Sequence, residues 1–187
     1  MIHHQKQTQM ESTMTNPVMT YHTNGEIKTI TYCNDKGNRH NVSGPAYIWY
    51  YDNGQKRYEQ YFKDGKLHNV SGPAVIKYSK NGQIKYEIYY KDGRWHNVSG
   101  PAIIEYFDNG QKEYVSYFKD GKRHNVSGPA LIQYSDNGQK RYEAYWVENK
   151  NVDGHKLIKH LGINPDYTLW TDDEKDMFAL HLMLEVS

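Results

Sequence analysis

The sequence predicts a mainly β fold: an elongated repeat array of antiparallel β-hairpins closed by a small C-terminal α-helical cap. Three observations predict it. The segment His-Asn-Val-Ser-Gly-Pro-Ala stands unchanged at 40–46, 68–74, 96–102 and 124–130, always 28 residues apart. Each copy is followed by two runs rich in β-branched and aromatic residues around an Asn-Gly turn, which is hairpin chemistry. After residue 147 the repeat stops and helix-type patterning begins. A fixed period of this length marks a repeat architecture, in which each unit buries its apolar surface on its neighbours.

The chain has 187 residues, 37% of them hydrophobic, with 18 Tyr and 4 Trp. Low apolar content alone points to disorder, but aromatic residues are depleted in disordered chains and bury large areas. The composition therefore implies an ordered protein with a thin core. A formal charge of +1 offers no electrostatic footprint for nucleic acid or an anionic membrane. The single Cys33 excludes an internal disulfide framework. No apolar run reaches the roughly 18 residues of a spanning helix, and the first 20 residues lack a signal-peptide core. The expected compartment is intracellular.

Residues 1–16 read as a flexible N-terminal tail, in which the adjacent pair His3-His4 could touch a metal but reads as part of the tail. Residues 17–147 read as the hairpin array. Its first unit is degenerate, and four full units start at His40, His68, His96 and His124. Terminal units are expected to be atypical because they have one neighbour only. A second turn, Lys63-Asp64-Gly65, recurs at 91–93 and 119–121 and is broken in the fourth unit by Val147-Glu148-Asn149-Lys150. Residues 148–187 read as the helical cap. His155 to Leu161 forms a short helix stopped by Gly162, and Thr171-Asp172-Asp173-Glu174 is a capping box for a helix to about Val186. Met177, Leu180 and Leu184 form its main stripe, widened by Phe178, Leu182 and Met183, so the helix needs cover from the last hairpin.

Parity sets the expected faces of the sheet. A two-residue Asn53-Gly54 loop puts Ile48 and Tyr50 opposite Glu59 and Arg57. A three-residue loop with left-handed Gly54 shifts the pairing by one, so that Ile48 and Tyr50 share a face with Tyr58 and Phe62. The second register is expected because it gives an apolar side. Trp49, Tyr47, and the constant Tyr61, Tyr89, Tyr117 and Tyr145 then fall on the opposite face.

The hairpin half of each unit, Tyr-x-x-Asn-Gly-x-x-x-x-Glu-x-Tyr-x-x-Asp-Gly, resembles the MORN repeat and its variants. The connector His-Asn-Val-x-Gly-Pro-Ala is similar to that of repeat proteins encoded by giant DNA viruses of amoebae, and to related phage and bacterial repeats. The resemblance covers roughly residues 17–147. It implies an elongated sheet of hairpins used as an interaction scaffold, in the host cytoplasm or associated with the virion if the chain is viral. Some relatives touch lipid or dimerise, and some bacterial variants carry an antitoxin label. The longer period and the altered connector set this chain apart from the standard unit.

His40, His68, His96 and His124 lie on successive hairpins, about 9–10 Å apart, which is too far to share an ion. They read as structural connector residues, together with Gly44, Gly72, Gly100 and Gly128, and no metal or cofactor is expected. The four Asn-Val-Ser triplets read as turn-closing residues. A catalytic site is an asymmetric constellation, whereas every acid, base or nucleophile here comes in repeated copies, so no enzyme activity is expected. The expected function is a non-enzymatic scaffold for a protein partner or self-association. Its partner face would comprise Tyr61, Tyr89, Tyr117, Tyr145, Trp49 and Trp95. The alternative is a carbohydrate-binding or virion surface module using the same tyrosines. Lys56, Arg57, Lys140 and Arg141 could touch nucleic acid only against the acidic Glu59, Glu87 and Glu143, so no nucleic-acid partner is expected.

Overall fold

The computed structural model describes residues 15–185. His3-His4, most of the expected tail and the expected helix end at Val186 lie outside the described residues. Eleven strands form one antiparallel sheet in which spatial order follows chain order. The opening hairpin pairs Val18–Tyr21 with Ile27–Thr31. Four further hairpins follow: Tyr47–Tyr50 with Lys56–Gln60, Val75–Tyr78 with Ile84–Ile88, Ile103–Tyr106 with Lys112–Ser116, and Leu131–Tyr134 with Lys140–Val147. Each second strand also pairs with the first strand of the next unit. Between hairpins the chain makes a short two-stranded ribbon, Phe62–Lys63 with Lys66–Leu67 in the first full unit.

The three-residue loop is present. Gly54 donates to the Tyr51 carbonyl at 3.1 Å, Tyr51 donates to Gln55 at 2.8 Å, and Gly54 has φ 78°. The expected faces are nevertheless wrong. Tyr50 stands opposite Lys56, but Trp49 stands opposite Tyr58 and Ile48 opposite Glu59. The extra residue is Arg57, and the same irregularity recurs in the next three hairpins. The loop shifts the register by one and this bulge shifts it back.

The result is one row across the sheet: Ile48, Glu59, Ile76, Glu87, Ile104, Val115, Ile132 and Glu143. Tyr89, Tyr117, Tyr106 and Tyr134 pack against its Ile104–Val115–Ile132 centre. The bulge therefore adds the constant tyrosines to the isoleucine face, at the cost of placing a glutamate beside them. Those glutamates are satisfied. Glu59, 7% exposed, accepts from Lys56 Nζ and Tyr78 Oη, both at 2.6 Å, and Glu87 accepts from Tyr106 Oη at 2.7 Å. Truncating a hydrogen-bonded buried group leaves its donor unpaired, whereas an apolar replacement of similar size fills the space. Glu59→Ala is expected to cost about 2 kcal/mol and Glu59→Leu less than about 1 kcal/mol, read by denaturant unfolding.

The ribbons stack along the array through their backbones. Gly65 donates to Arg39, Gly93 to Leu67 and Gly121 to Trp95 at 2.8–2.9 Å. The fourth ribbon, expected to be broken, survives: Val147 pairs with Lys150, and Asn149 donates to the Arg123 carbonyl at 3.0 Å. Glu148 and Asn149 take positive φ (49° and 67°), as Asp120 and Gly121 do one unit earlier (51° and 85°). Asn tolerates this conformation, so sheet pairing continues to Val152, past the expected boundary at residue 147.

The cap packs on this last hairpin. Helix α1, Gly154–Leu161, starts at Asp153 and ends at left-handed Gly162. Helix α2, Asp172–Leu184, has the expected capping box of Thr171 and Glu174. Tyr145 and Val147 of the sheet join Leu157, Ile158, Trp170, Phe178 and Leu182 in the principal core. The buried line of α2 is thus Phe178–Leu182, with Met177 half-buried. Leu180 and Leu184, expected in the stripe, are 60% and 64% exposed.

Candidate functional site

The connectors create a concavity that repeats along the array. Within each one, Asn closes the turn: Asn69 Nδ2 donates to the Pro73 carbonyl at 3.0 Å, and Asn69 Oδ1 accepts from the Ser71 amide at 3.0 Å. Asn41, Asn97 and Asn125 do the same. The alanines that end the connectors, Ala46, Ala74, Ala102 and Ala130, are fully buried. Gly44, Gly72 and Gly100 lie 3.6–3.8 Å from their own Asn side chains, counted from the position a Cβ would take.

Each connector histidine binds the ribbon turn at the far end of its own unit. Nδ1 of His40, His68 and His96 accepts the backbone N–H of Asp64, Asp92 and Asp120 at 3.1–3.2 Å. Those aspartates turn at φ near 50°, so the histidine clamps the start of the ribbon turn. The same Nδ1 atoms lie 2.9–3.0 Å from the Oδ1 atoms of those aspartates, and His124 Nδ1 lies 3.0 Å from Glu148 Oε1. Burial lowers the His124 pKa from 6.5, and Lys119 acts in the same direction against Glu148. A histidine whose folded pKa is depressed resists protonation in the folded state only. Its contribution is therefore complete above the unfolded value and is lost as pH falls below about 6.5. Melting temperature is expected to fall between pH 7.5 and 5.5, and less so in His124→Gln.

Between successive connectors runs a groove. The first, about 570 Å³, lies between His40–Gly44 and His68–Pro73, floored by Tyr61 and Ile76. The second, about 610 Å³, lies between Asn69–Gly72 and His96–Pro101, floored by Tyr89 and Ile104. The third, about 490 Å³, contains Tyr117 and is bounded at its inner end by Tyr167 of the cap. Lys63, Lys91 and Lys119 stand at equivalent places in the three. Val42, Val70 and Val98, on the connector tips, are 81–83% exposed.

The residues expected to share a partner face do not share one. Tyr61, Tyr89 and Tyr117 line the grooves. Tyr145 is 1% exposed beneath the cap, against Phe178 and His155. Trp49 lies on the opposite face, stacked on Tyr58 with centroids 5.7 Å apart and covered by Arg57 at 4.0 Å. Trp95 belongs to a ribbon and packs on Phe118. The opposite face has its own row, in which Trp49, Tyr58, Tyr86, Tyr114 and Tyr142 alternate with Lys77, Glu105 and Gln133. Parity reasoning missed this row because it did not include the bulge at Arg57. The row needed two register shifts in one hairpin, and only the Asn-Gly loop leaves a mark in the sequence.

The fold and grooves define a repeat scaffold: hairpins in series, presenting one surface several times. Its hairpins are MORN-like. The MORN repeat variant family matches residues 46–67 and 74–92, the hairpin and ribbon of one unit and the hairpin and first ribbon strand of the next. Comparison with curated proteins gives no match. No helix among the described residues is long and apolar enough to cross a membrane.

Proposed function

We propose that this chain is a non-enzymatic scaffold that binds a protein partner through the connector side of its sheet. The observation that carries the reading is the repeated groove with exposed valine rims. Val42, Val70 and Val98 line these grooves together with Tyr61, Tyr89 and Tyr117, and contiguous apolar surface of this kind marks an interaction site. The similarity to the MORN repeat variant supports a scaffold role, and the giant-virus resemblance of the connector adds an intracellular or virion-associated setting to the proposal. Affinity capture from the native source tests it, using the intact chain, Val70→Asp/Val98→Asp and Tyr114→Ser/Tyr142→Ser. Loss of a defined partner only with the valine pair supports the reading, and retention in that variant contradicts it.

The opposite face favours a second reading as a carbohydrate-binding module. Flat rings such as Tyr142, 53% exposed, are suited to stacking on sugars. Saturable binding on a glycan array, lost with Tyr114→Ser/Tyr142→Ser, would select it.

A further inference from the structure

The chain closes the inner end of one of its own grooves. The third groove differs from the second, one period earlier, at its inner end. In the second, Gly100, Pro101 and Ile104 line the space. In the third, Gly128 and Pro129 are buried where Gly100 and Pro101 are partly exposed, Ile132 is 1% exposed against 8% for Ile104, and Tyr167 forms the wall. A Cβ on Gly128 would stand 2.9 Å from the Tyr167 ring, which fixes the ring against the connector backbone. Tyr167 also packs on the Ile104–Val115–Ile132 cluster. The fourth connector valine, Val126, is partly buried against the cap core, whereas the other three are exposed.

The covering segment satisfies its own polar groups. Asn164 Oδ1 accepts from the Asp166 amide at 2.8 Å, and Asp166 Oδ1 accepts from Thr168 N and Oγ1 at 3.1 and 2.7 Å. What it offers the array is therefore a tyrosine ring held on a preformed turn. A cation completes the seat: Lys140 Nζ lies 4.9 Å from the ring centroid. The two open grooves have the same floor and the same backbone, and their lysines, Lys63 and Lys91, are the counterparts of Lys119 in the third.

We infer that the two open grooves bind a polypeptide segment that presents a tyrosine after an acidic residue, as Asp166-Tyr167 does in the third. The inference rests on the scaffold reading and supplies its partner chemistry. Burying a ring against Ile, Pro and Tyr drives such docking, and the preformed turn keeps the ordering cost low. The occupant is a segment of the separate protein partner that the scaffold reading calls for.

The probe is an acetylated, amidated peptide of residues 163–170, titrated into the full chain and followed by amide chemical shifts. Saturable shifts at Gly72, Tyr89, Gly100 and Ile104 are expected, with two peptides per chain. The Tyr→Ala peptide should bind at least tenfold more weakly, as should the wild-type peptide to Val70→Asp/Val98→Asp. Those valines are exposed, so an unchanged spectrum away from the grooves verifies the fold. Absence of saturable shifts at millimolar peptide, shifts confined to other surfaces, or equal binding of the Tyr→Ala peptide would each overturn the assignment. If the peptide fails while native-source capture still needs Val70 and Val98, the scaffold reading stands and only the aromatic-segment assignment falls.

Discussion

Gly154→Ala is expected to be the most disruptive single-methyl change in the protein. A Cβ at this position would sit 2.2–2.6 Å from three ring atoms of Tyr145. The ring cannot yield. It is 1% exposed, packed edge-on against Phe178 with centroids 5.7 Å apart, and its Oη donates to Glu143 at 3.1 Å. Overpacking a tight core commonly costs 1–3 kcal/mol, and here relief requires moving α1 off the sheet. A loss of about 3 kcal/mol or more is expected, with hydrogen-exchange protection of α1 and α2 falling before that of the central hairpins. An unchanged midpoint in denaturant unfolding would mean that the cap does not dock on Tyr145.

The second large effect is expected at Ala102. Ala46, Ala74, Ala102 and Ala130 are each fully buried, and the Ala102 amide donates to the Ser116 carbonyl at 2.9 Å while its carbonyl accepts from Tyr89. This residue seats a connector on both neighbouring strands, leaving no room for a larger side chain. Ala102→Leu is expected to cost about 2–3 kcal/mol. Val98→Leu, four residues earlier on the exposed tip, should fall within about 0.5 kcal/mol of wild type. Thermal unfolding of the two variants side by side reads the difference; equal midpoints would contradict the packing of the connectors.

Much of this was legible in the sequence because the repeat prints the same physics four times. The Asn-Gly loops, the left-handed glycines and the Thr171–Glu174 capping box are local, and local chemistry is written in adjacent residues. The bulge at Arg57 is different. It is set by what the strands gain across the sheet, namely a row joining Ile48, Ile76 and Ile104 with the constant tyrosines, and no residue at position 57 announces it. For the same reason Tyr61 and Trp49 were assigned to one face and belong to two. The fourth ribbon was hidden by the exchange of Asp-Gly for Glu148-Asn149, which keeps the backbone conformation while changing the letters. The closing of the third groove's inner end by Tyr167 is beyond sequence reasoning altogether, since it depends on where the cap lands.

Removing one whole period tests the account most directly. Deleting residues 68–95 joins Leu67 to His96 and leaves every remaining unit with a neighbour of the same kind. A one-dimensional array should tolerate this, because each unit touches only the adjacent ones. The shortened chain is expected to unfold cooperatively with its cap intact. In solution scattering its longest dimension should drop by two strand spacings, about 10 Å, and its capacity for the 163–170 peptide should fall from two to one. An unfolded product, or a folded one of unaltered length, would contradict it.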